Sequence, residues 1–478
     1  MGFKAVILWT DVVLWLMLLG LAQYVRVVLR DESLRATWQR VFVTDAGMAS
    51  AVVLTLMLVV TSADSLHFRR ALPSVNGSTL AYDTRTESVL DLALVKLIAG
   101  RENSYSRPLA THGFSKETVP PKAGEKPQVD ENGLPVLPKR AFPRLKHAGL
   151  GLADADKDWA ADVAQRLVAG TAAGVGVALL LFVALRSRMD EGNPLAWRAA
   201  WMTGSAMAML MAWGLALSWG QGYHVLGTDR TGNDVLYITI KSIRTAFVIG
   251  SLATIATIPL ALAFGIAAGY FKGWVDDVIQ YVYTVLSSVP NILLIAACVL
   301  MMQVFIDKHP ELFETGLERA DLKIFLLCVI LGLTGWAGLC RLLRAETLKL
   351  RELEYVQAAT AFGASPWRIM RRHILPNVMH LVLITTVIDF SGLILYEAVL
   401  SYVGIGVDPS MNSFGGMINQ ARVEMSRDPL VWWSFASAFV FMVGIVLAAN
   451  LFADAVRDAF DPRARVARPA AKRLATVA

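Results

Sequence analysis

The stretch TAFVIGSLATIATIPLALAFGIAAG, residues 245–269, contains no charged side chain. A helix needs roughly 20 apolar residues to cross a hydrocarbon core about 30 Å thick, so this stretch is long enough to span a bilayer. Only helices and closed barrels satisfy their backbone hydrogen bonds in lipid. The stretch therefore predicts a transmembrane helix.

Eight further stretches have similar length and apolar character. They cover residues 4–22, 41–61, 163–185, 195–218, 278–303, 322–343, 377–401 and 431–453. The chain is 55% hydrophobic and 18% charged, with mean hydropathy +0.50, too apolar for a soluble protein of 478 residues. We expect an all-α, polytopic membrane protein with nine spans. The first stretch could be a signal peptide, but Arg26 and Arg30 follow it without a small-residue cleavage site, which favours a retained helix.

The basic residues cluster between the predicted spans, so the net charge of +6 indicates loops near lipid rather than nucleic-acid binding. Positive residues are retained on the cytoplasmic side, which predicts a cytoplasmic tail and an outer N-terminus. The residues that set this orientation are Arg26, Arg30, Arg35, Arg40, Arg186, Arg188, Arg344, Lys349, Arg351, Arg368, Arg371, Arg372, Arg457, Arg463, Arg465, Arg468, Lys472 and Arg473.

The segment between the second and third spans, residues 62–160, is predicted to lie on the outer face. We call it the insert. Thr84 and Glu87 have capping-box spacing before an apolar run from Val89 to Ile98, and Gly100 is suited to end that helix. The middle predicts irregular structure because it is rich in proline: Pro120, Pro121, Pro127, Pro135, Pro138 and Pro143. The insert is either a docking surface for an extracytoplasmic protein or a tolerated decoration.

Small residues and prolines within the spans predict how the helices pack and bend. Gly170 and Gly174, and likewise Gly265 and Gly269, have the spacing that permits close helix contact. Pro259 and Pro290 fall inside the fifth and sixth spans, where a missing amide donor kinks a helix. The three cysteines lie in spans and indicate packing, not disulfides or metal ligation: Cys298, Cys328 and Cys340.

The most informative loop is EYVQAATAFGASPWRIMRRHILPN, residues 354–377, which predicts helix, turn, helix. Gly363 suits a left-handed residue that closes the first helix. Ser365 suits the N-cap of the second helix and Pro366 its first position, while Pro376 is expected to end it. Two helices too short to bury a core of their own form a projecting knob, which indicates a partner with a matching cleft.

This loop resembles the EAA loop of ABC-importer permeases, whose pattern is Glu-Ala-Ala, three residues, Gly, nine residues, then Ile-x-Leu-Pro. Gln357 replaces the glutamate and His373 replaces the first isoleucine of the ending, and an ending of His-Ile-Leu-Pro-Asn looks like the peptide branch of the family. The resemblance implies that residues 354–376 couple the spans to a cytoplasmic ATPase. The residues expected to do so are Glu354, Gln357, Ala358, Ala359, Gly363, Ser365, Pro366, Arg371, Arg372, Ile374, Leu375 and Pro376.

A second stretch, LGTDRTGNDVL at residues 226–236, resembles the outer turn before the second core helix of dipeptide, oligopeptide and nickel permeases. Its candidate residues are Gly227, Thr228, Asp229, Gly232 and Asp234. A calcium loop fits less well because Gly232 comes too early and no glutamate closes the twelve-residue frame. Residues 269–276, 400–407 and 454–463 also look like this branch, so the likeness covers roughly 195–465.

Asp389 and Glu397 are acidic residues inside the eighth span, where ionisable groups are costly. They are candidates for the translocation path, although each could equally bond a neighbouring helix. No phosphate-binding loop, His-Glu-x-x-His or Gly-x-Ser-x-Gly motif is present, and no histidines form a metal-ligand pair. We therefore expect neither a catalytic nor a metal site on this chain.

The resemblance implies a type I ABC-importer transmembrane domain, in the bacterial inner membrane, that carries small peptides. It implies four kinds of partner: a second homologous permease, two cytoplasmic ATPases that bind ATP and Mg, an extracytoplasmic solute-binding protein and membrane lipid. The predicted divisions are two additional spans in 1–61, the insert in 62–160, a third additional span in 161–190, the permease domain in 191–463 and a basic tail in 464–478.

Three alternatives stay open. A permease for nickel or another small solute shares these motifs. An ion-coupled secondary transporter would show inverted repeats and acidic residues at mid-membrane, of which only Asp389 and Glu397 are present. A receptor or scaffold built around the insert would leave the loop at 354–377 unexplained.

Overall fold

The computed structural model describes residues 3–72, 82–118, 140–149, 155–191, 194–220, 222–313 and 315–460. Within these residues eight helices are long and apolar enough to cross a membrane, and one bent helix pair makes nine. The eight are α1 (Trp9–Arg30), α3 (Asp45–Asp64), α6 (Ala155–Glu191), α7 (Pro194–Ser218), α8 (Val235–Phe271), α10 (Asn291–Lys308), α15 (Leu375–Val403) and α17 (Trp433–Phe460). The pair, α11 (Gly316–Gly335) and α12 (Ala337–Arg351), is bent by 42°. The predicted polytopic helical fold is confirmed.

The other elements are short. The helices are α2 (Glu32–Val41), α4 (Val89–Ala93), α5 (Val95–Ala99), α9 (Gly273–Ser288), α13 (Glu354–Ala361), α14 (Pro366–Ile369) and α16 (Phe414–Glu424), with a 3-10 turn at Pro310–Leu312 and a π turn at Met370–Ile374. The strands are β1 (Phe3–Val6), β2 (His67–Arg70), β3 (Glu87–Ser88), β4 (Glu117–Thr118) and β5 (Arg140–Ala141).

A small antiparallel sheet joins the N-terminus to the insert. Strand β1 pairs with β2, with Phe3 opposite Arg70, and β2 pairs with β3. Because β1 precedes the first span and β2 follows α3, both lie at the same end of the helices. The outer position of that end stays a prediction. We call this end the outer end, and the opposite end, which carries residues 354–376, the inner end.

Several predicted spans differ in their boundaries: the third and fifth are longer, and the seventh is broken between α11 and α12. The first and the sixth differ for reasons that the local sequence explains. The first begins at Trp9, because residues 3–6 pair as a strand, and it runs on to include Arg26 and Arg30. The sixth is broken, because α9 ends at Ser288 and Pro290 occupies the N-cap of α10. Pro290 therefore lies between helices rather than inside one, where its missing amide donor costs nothing. Pro259 lies inside α8, as predicted.

The centre of the fold is α8, which packs against α11, α12 and α15. Glycines allow this close contact. A Cβ atom on Gly265 would lie 2.8 Å from Leu343 Cβ, and one on Gly269 would lie 2.6 Å from Thr347 Cβ. In the same way, a Cβ atom on Gly174 of α6 would meet Met209 of α7 at 2.6 Å. The packing role predicted for these glycines is confirmed.

Buried charges fasten α1 to the centre of the fold. Arg244 of α8 donates to Asp11 Oδ1 at 2.6 Å and to Thr10 Oγ1 at 3.0 Å. The backbone nitrogen of Thr10 donates to Asp321 Oδ2 of α11 at 3.0 Å. Arg244, Asp11 and Asp321 are all at most 3% exposed. Removing one partner from such a group leaves a buried charge uncompensated, so α1 is an integral part of this end.

The helical part of the insert begins one turn later than predicted. Ser88, not Thr84, is the N-cap, and its capping box is completed by Asp91 rather than Glu87. The apolar run is divided into α4 and α5 at Leu94. Gly100 does follow the last helix, but its φ is −81°, so it is not a left-handed cap.

The proline-rich centre of the insert, including Pro120, Pro121, Pro127, Pro135 and Pro138, lies outside the described residues, as does the tail from residue 461. Pro143 is described, and its carbonyl accepts a hydrogen bond from the Gly113 nitrogen at 2.8 Å. The three cysteines are free thiols in α10, α11 and α12.

Candidate functional site

Residues 354–376, which we call the knob, form a helix, a tight turn and a second helix at the inner end. Gly363 follows α13 with φ of +76°, as its predicted role in closing that helix requires. Ser365 occupies the N-cap position and Pro366 the first position of α14. The Ser365 side chain makes no capping hydrogen bond, so the predicted side-chain cap is wrong.

The second helix does not end at Pro376, as was predicted. After α14 the chain makes a π turn, Met370–Ile374, and continues directly into α15. A proline inside an α-helix clashes with the carbonyl four residues before it, and a wider π turn relieves such crowding. The Asn377 side chain donates to the His373 carbonyl at 2.6 Å within this stretch. The knob is therefore joined to α15 without a flexible linker.

One side of the knob is anchored in the fold. Val356, Ile369 and Ile374 are at most 1% exposed and pack in one cluster with residues of α8, α12 and α15, including Leu343 and Val378. Ala359 and Leu375 pack against the same cluster. A change in the position of the knob must therefore move these helices or open their packing.

The other side of the knob is open. Phe362 is 91% exposed and Trp367 is 71% exposed, on either side of the Gly363 turn. Aromatic side chains exposed together at a helix turn are typical of a protein interface. Sequence reasoning chose the motif residues and missed these two, although aromatics beside a tight turn in a loop without its own core were a usable signal. Nine of the predicted coupling residues are also exposed: Glu354, Gln357, Ala358, Gly363, Ser365, Pro366, Arg371, Arg372 and Pro376.

Ion pairs brace the base of the knob. Lys272, after α8, contacts Glu352 at 2.9 Å, and Arg351 donates to the Tyr270 carbonyl at 2.8 Å. Arg344 makes two hydrogen bonds to Asp276, at 2.5 and 2.7 Å. Those hydrogen bonds hold the pKa of Asp276 below its ordinary value, against the effect of burial. The Gln357 side chain donates to the Glu352 carbonyl at 3.2 Å, so it also supports this base.

The predicted outer turn is ordered by its own side chains. Asp229 accepts hydrogen bonds from the backbone nitrogens of Thr231 and Asn233, at 2.8 and 2.9 Å. Asp234 is the N-cap of α8 and accepts from the nitrogen of Leu236 at 2.8 Å. Gly227 and Gly232 both have positive φ. These bonds give Asp229 a role in the turn and account for the motif without an ion.

The insert covers this turn. Thr228 is fully buried, accepts from the Ser106 nitrogen at 2.6 Å and donates to the Ser104 carbonyl at 2.8 Å. The Glu102 nitrogen donates to the Gly232 carbonyl at 2.8 Å. Because a Cβ atom on Gly232 would lie 1.9 Å from the Glu102 oxygen, glycine is required there for contact as well as for φ. The spacing of residues along the chain did not predict this contact.

A group of buried titratable side chains lies beneath the covered turn. Burial would lower the pKa of His224, but its hydrogen bonds to Asp234 and Glu102 outweigh burial and raise the pKa to about 9. Burial would raise the pKa of Glu102, yet its bonds with His224 and the His147 backbone lower it. Burial, together with the nearby His224 charge, lowers the pKa of His147. Sequence reasoning singled out none of these three residues, because they are far apart in the chain.

The two acidic residues of α15 differ in their surroundings. Glu397 is 1% exposed and accepts from Ser401 Oγ at 2.6 Å, while the Val407 nitrogen donates to Ser401. This chain of bonds holds the turn that follows α15. Asp389 is half-buried, and no hydrogen-bond partner for it is found among the described residues. Asp389 and Glu397 lie about two helical turns apart on α15, and their role in a path stays a prediction.

Comparison with known proteins places this chain among transport permeases. Residues 261–466 match the family model described as binding-protein-dependent transport system inner membrane component. The oligopeptide transport system permease protein OppC of Haemophilus influenzae is 30% identical over 245 residues, which cover 51% of this chain and 72% of the relative. OppC of Mycobacterium tuberculosis is 31% identical, with 51% and 78% covered, and the glutathione permease GsiD of Pectobacterium atrosepticum is 31% identical, with 50% and 73% covered.

A chain of the inward-facing MetNI methionine ABC transporter matches 48% of this chain at 18% identity, with a TM-score of 0.35, which is too low for a comparison of folds. The sequence relatives and the candidate spans together place the chain as a multi-pass component of the bacterial inner membrane. The chain belongs to the binding-protein-dependent transport system inner membrane component family, the permeases of ABC importers.

Proposed function

We propose that this chain is the permease subunit of an ATP-driven importer of small peptides, and that the knob couples its spans to separate ATPase subunits. The observation that carries the coupling role is the two-sided character of the knob. Phe362 and Trp367 are open to a partner, while Ile369 and Ile374 are fully buried in the cluster that contains α8 and α15 residues. A contact on one side therefore acts on the spans through the other.

The open side is suited to a protein cleft. Burying one large apolar side chain contributes about 1.5–3 kcal/mol, so two aromatics supply a useful docking energy. Arg368, Arg371 and Arg372 are exposed beside them and favour a cleft with acidic residues. We assign this partner as the cytoplasmic ATPase, because family membership implies one and the knob lies at the predicted cytoplasmic end.

The proposed mechanism is alternating access. ATP and Mg bind two ATPases, which close on each other and carry the knobs of two permease subunits together. The spans then open outward to a loaded solute-binding protein, and hydrolysis returns them to the inward-open state. The knob must contact the ATPase differently in the two states, because a partner with equal affinity for both would shift neither.

Hydrolysis is assigned to separate chains. The sequence contains no Gly-Lys pair for a phosphate-binding loop. We propose a non-catalytic transmembrane subunit that pairs with a second, similar permease. Asp389, half-buried in α15 without a hydrogen-bond partner among the described residues, is the better candidate for the path. For Glu397, bonding to Ser401 supports a role in gating through the turn after α15.

Small peptides are proposed as the cargo because relatives of this chain are named for oligopeptide, dipeptide and glutathione transport. Uptake of a labelled tripeptide into proteoliposomes containing the complex tests this. We expect uptake to require ATP and the binding protein, to persist with a protonophore and to be competed by unlabelled peptide. Competition by nickel alone would favour the second candidate cargo, and loss of uptake in the presence of the protonophore would favour the ion-coupled alternative.

The coupling role is tested by Phe362→Ala. Because Phe362 is 91% exposed, its loss should leave the permease fold intact while weakening the ATPase contact. Losing about 1.5–3 kcal/mol corresponds to roughly a tenfold to hundredfold weaker association of ATPase with the purified permease. Transport should fall in parallel.

The matched control is Phe142→Ala, which removes an exposed phenylalanine from the outer end, where no ATPase can reach. It should leave ATPase association unchanged. Wild-type ATPase association and peptide-stimulated hydrolysis in Phe362→Ala would refute the coupling role of the knob.

A further inference from the structure

Three buried side chains from distant parts of the chain meet beneath the outer turn. Glu102 and His147 come from the insert, and His224 precedes the turn on the permease side. One ligand atom from each residue lies within 4.8 Å of the other two. Their residues are 7%, 7% and 0% exposed. We call this group the outer triad.

His147 is the unexplained member of the outer triad. Both of its ring nitrogens are buried, and neither makes a hydrogen bond of standard geometry with a described residue. The carbonyl of Lys96 faces the ring without closing one. An unsatisfied buried polar group costs about 1–3 kcal/mol, so a buried imidazole without hydrogen bonds indicates a binding partner for its ring nitrogens.

The surrounding chain makes room for that ring. A Cβ atom on Gly100 would lie 2.4 Å from the Cε1 atom of His147, so only glycine fits at position 100. On its other side the ring stacks on His224, with centroids 5.2 Å apart. The backbone nitrogen of His147 donates to Glu102 Oε1 at 3.0 Å. The imidazole is thus held beside a second imidazole and a carboxylate.

His224 is oriented by a carboxylate behind it. Its Nδ1 atom lies 2.6 Å from Asp234 Oδ2, which directs Nε2 towards Glu102 Oε1 at 3.5 Å. A histidine that binds a metal usually donates its other ring nitrogen to a carboxylate in this way. With bonds of about 2.0–2.1 Å, the ligands of a tetrahedral ion lie roughly 3.4 Å apart, close to that separation.

We propose that the outer triad is a zinc site, in which Glu102, His147 and His224 bind the ion and Asp234 orients His224. Two imidazole nitrogens and one carboxylate oxygen form a donor set that zinc prefers. Zinc would occupy the position of the proton on His224 Nε2, which is released to solvent, so the ion and the proton compete for the same nitrogen. A ring nitrogen of His147, otherwise without a partner, becomes a ligand.

The site fastens the insert to the permease. Two ligands lie in the insert and the third in the segment that leads to α8, so the ion closes the cover over the outer turn. Since the site is assembled only in the folded chain, binding stabilises this cover. The proposal does not depend on the transported solute or on the knob.

The test uses the full chain, purified in detergent, stripped with a chelator and then incubated with Zn²⁺ alone. After removal of free metal, we expect inductively coupled plasma mass spectrometry to detect about one zinc ion per chain, because three protein ligands are enough to retain the ion. We also expect zinc to raise the thermal unfolding temperature. His147→Phe keeps a ring between Gly100 and His224 but removes both nitrogens, so it should lose the bound zinc and the zinc-dependent shift.

Two further variants distinguish the loss of a zinc ligand from a general loss of folding. Glu102→Gln keeps an oxygen that accepts the His147 backbone hydrogen bond and should bind zinc at least tenfold more weakly. His309→Ala removes a histidine elsewhere at the outer end and should bind zinc as the wild type does. Wild-type chain without zinc, or unchanged zinc binding by His147→Phe, would overturn the proposal and leave the outer triad as a hydrogen-bonded imidazolium with its carboxylates.

Discussion

The two ends of the molecule carry turns with the same backbone conformation in opposite surroundings. Gly363 in the knob and Gly232 in the outer turn both have φ of +76°. A Cβ atom on Gly363 would meet nothing within 4 Å, whereas one on Gly232 would lie 1.9 Å from the Glu102 carbonyl oxygen. The outer turn is already covered by its own chain, and the inner turn is left open. The difference indicates which end relies on a partner chain for its contacts.

The first spans and the insert explain the difference. At the outer end, Asp11 of α1, Asp64 of α3 and Asp91 of α4 all contact basic residues of α8. These bonds make the insert and the first spans part of the permease structure. At the inner end, the exposed surface of the knob meets no comparable cover among the described residues.

The largest effect is expected when the outer end loses its central cation. Arg244→Leu leaves Asp11 and Asp321 buried without their guanidinium partner, which should cost about 3–5 kcal/mol of unfolding free energy. Thermal unfolding in detergent measures this. Arg26→Leu on exposed α1 is the control and should change stability by less than about 0.5 kcal/mol. A loss in Arg244→Leu no larger than in the control would show that the buried charges do not hold this end together.

The same substitution at the two glycines sharpens the comparison. Placing alanine in a left-handed conformation costs about 1–2 kcal/mol at either position. Gly232→Ala adds a clash with the Glu102 carbonyl, worth about 1–3 kcal/mol more. We therefore expect Gly232→Ala to lower the unfolding temperature more than Gly363→Ala does.

The association of the ATPase with the purified permease should reverse that order. Gly363→Ala should weaken this association more than Gly232→Ala does, because only Gly363→Ala distorts the knob. Equal losses of stability in the two variants would mean that the insert does not press on the outer turn in solution.

Sequence reasoning succeeded where a property repeats along the chain. The nine spans follow from apolar length, and the knob follows from Gly363 and Pro366 at fixed intervals. It failed at two helix boundaries. Pro376 was expected to end a helix, but the π turn carries the chain through it. The capping box moved from Thr84 to Ser88 because Asp64 and Lys241 bind there.

The outer triad could not be found from the sequence for the same reason. Glu102, His147 and His224 are separated by more than forty residues, and only the fold of the insert onto the turn brings them together. Likewise, the exposure of Phe362 depends on which side of the knob is buried by α8 and α12. Local patterns therefore identified the elements, and the contacts between elements decided the sites.

A moderate effect is expected from Ser88→Ala at the outer end. The hydroxyl of Ser88 donates to Asp64 at 2.6 Å and accepts from the Asp91 nitrogen at 3.2 Å, so it joins α3 to the cap of α4. Loss of an N-cap and of a buried hydrogen bond should cost about 1–2 kcal/mol. Thermal unfolding measures the loss, and hydrogen exchange should place it in residues 88–93. Protection that falls equally at both ends would contradict a local role.

The smallest effect is expected at Gln357, where this chain departs from the Glu-Ala-Ala pattern. Gln357→Glu removes the hydrogen bond to the Glu352 carbonyl, but a carboxylate near the start of α13 interacts favourably with the helix dipole. These effects oppose each other on an exposed side chain, so stability should change by less than about 0.5 kcal/mol. If ATPase docking depends mainly on the exposed aromatics, association should also change by no more than about twofold. A larger change, lost in high salt, would instead assign the charge at this position a direct part in docking, and the inner end would then rely on ion pairs as the outer end does.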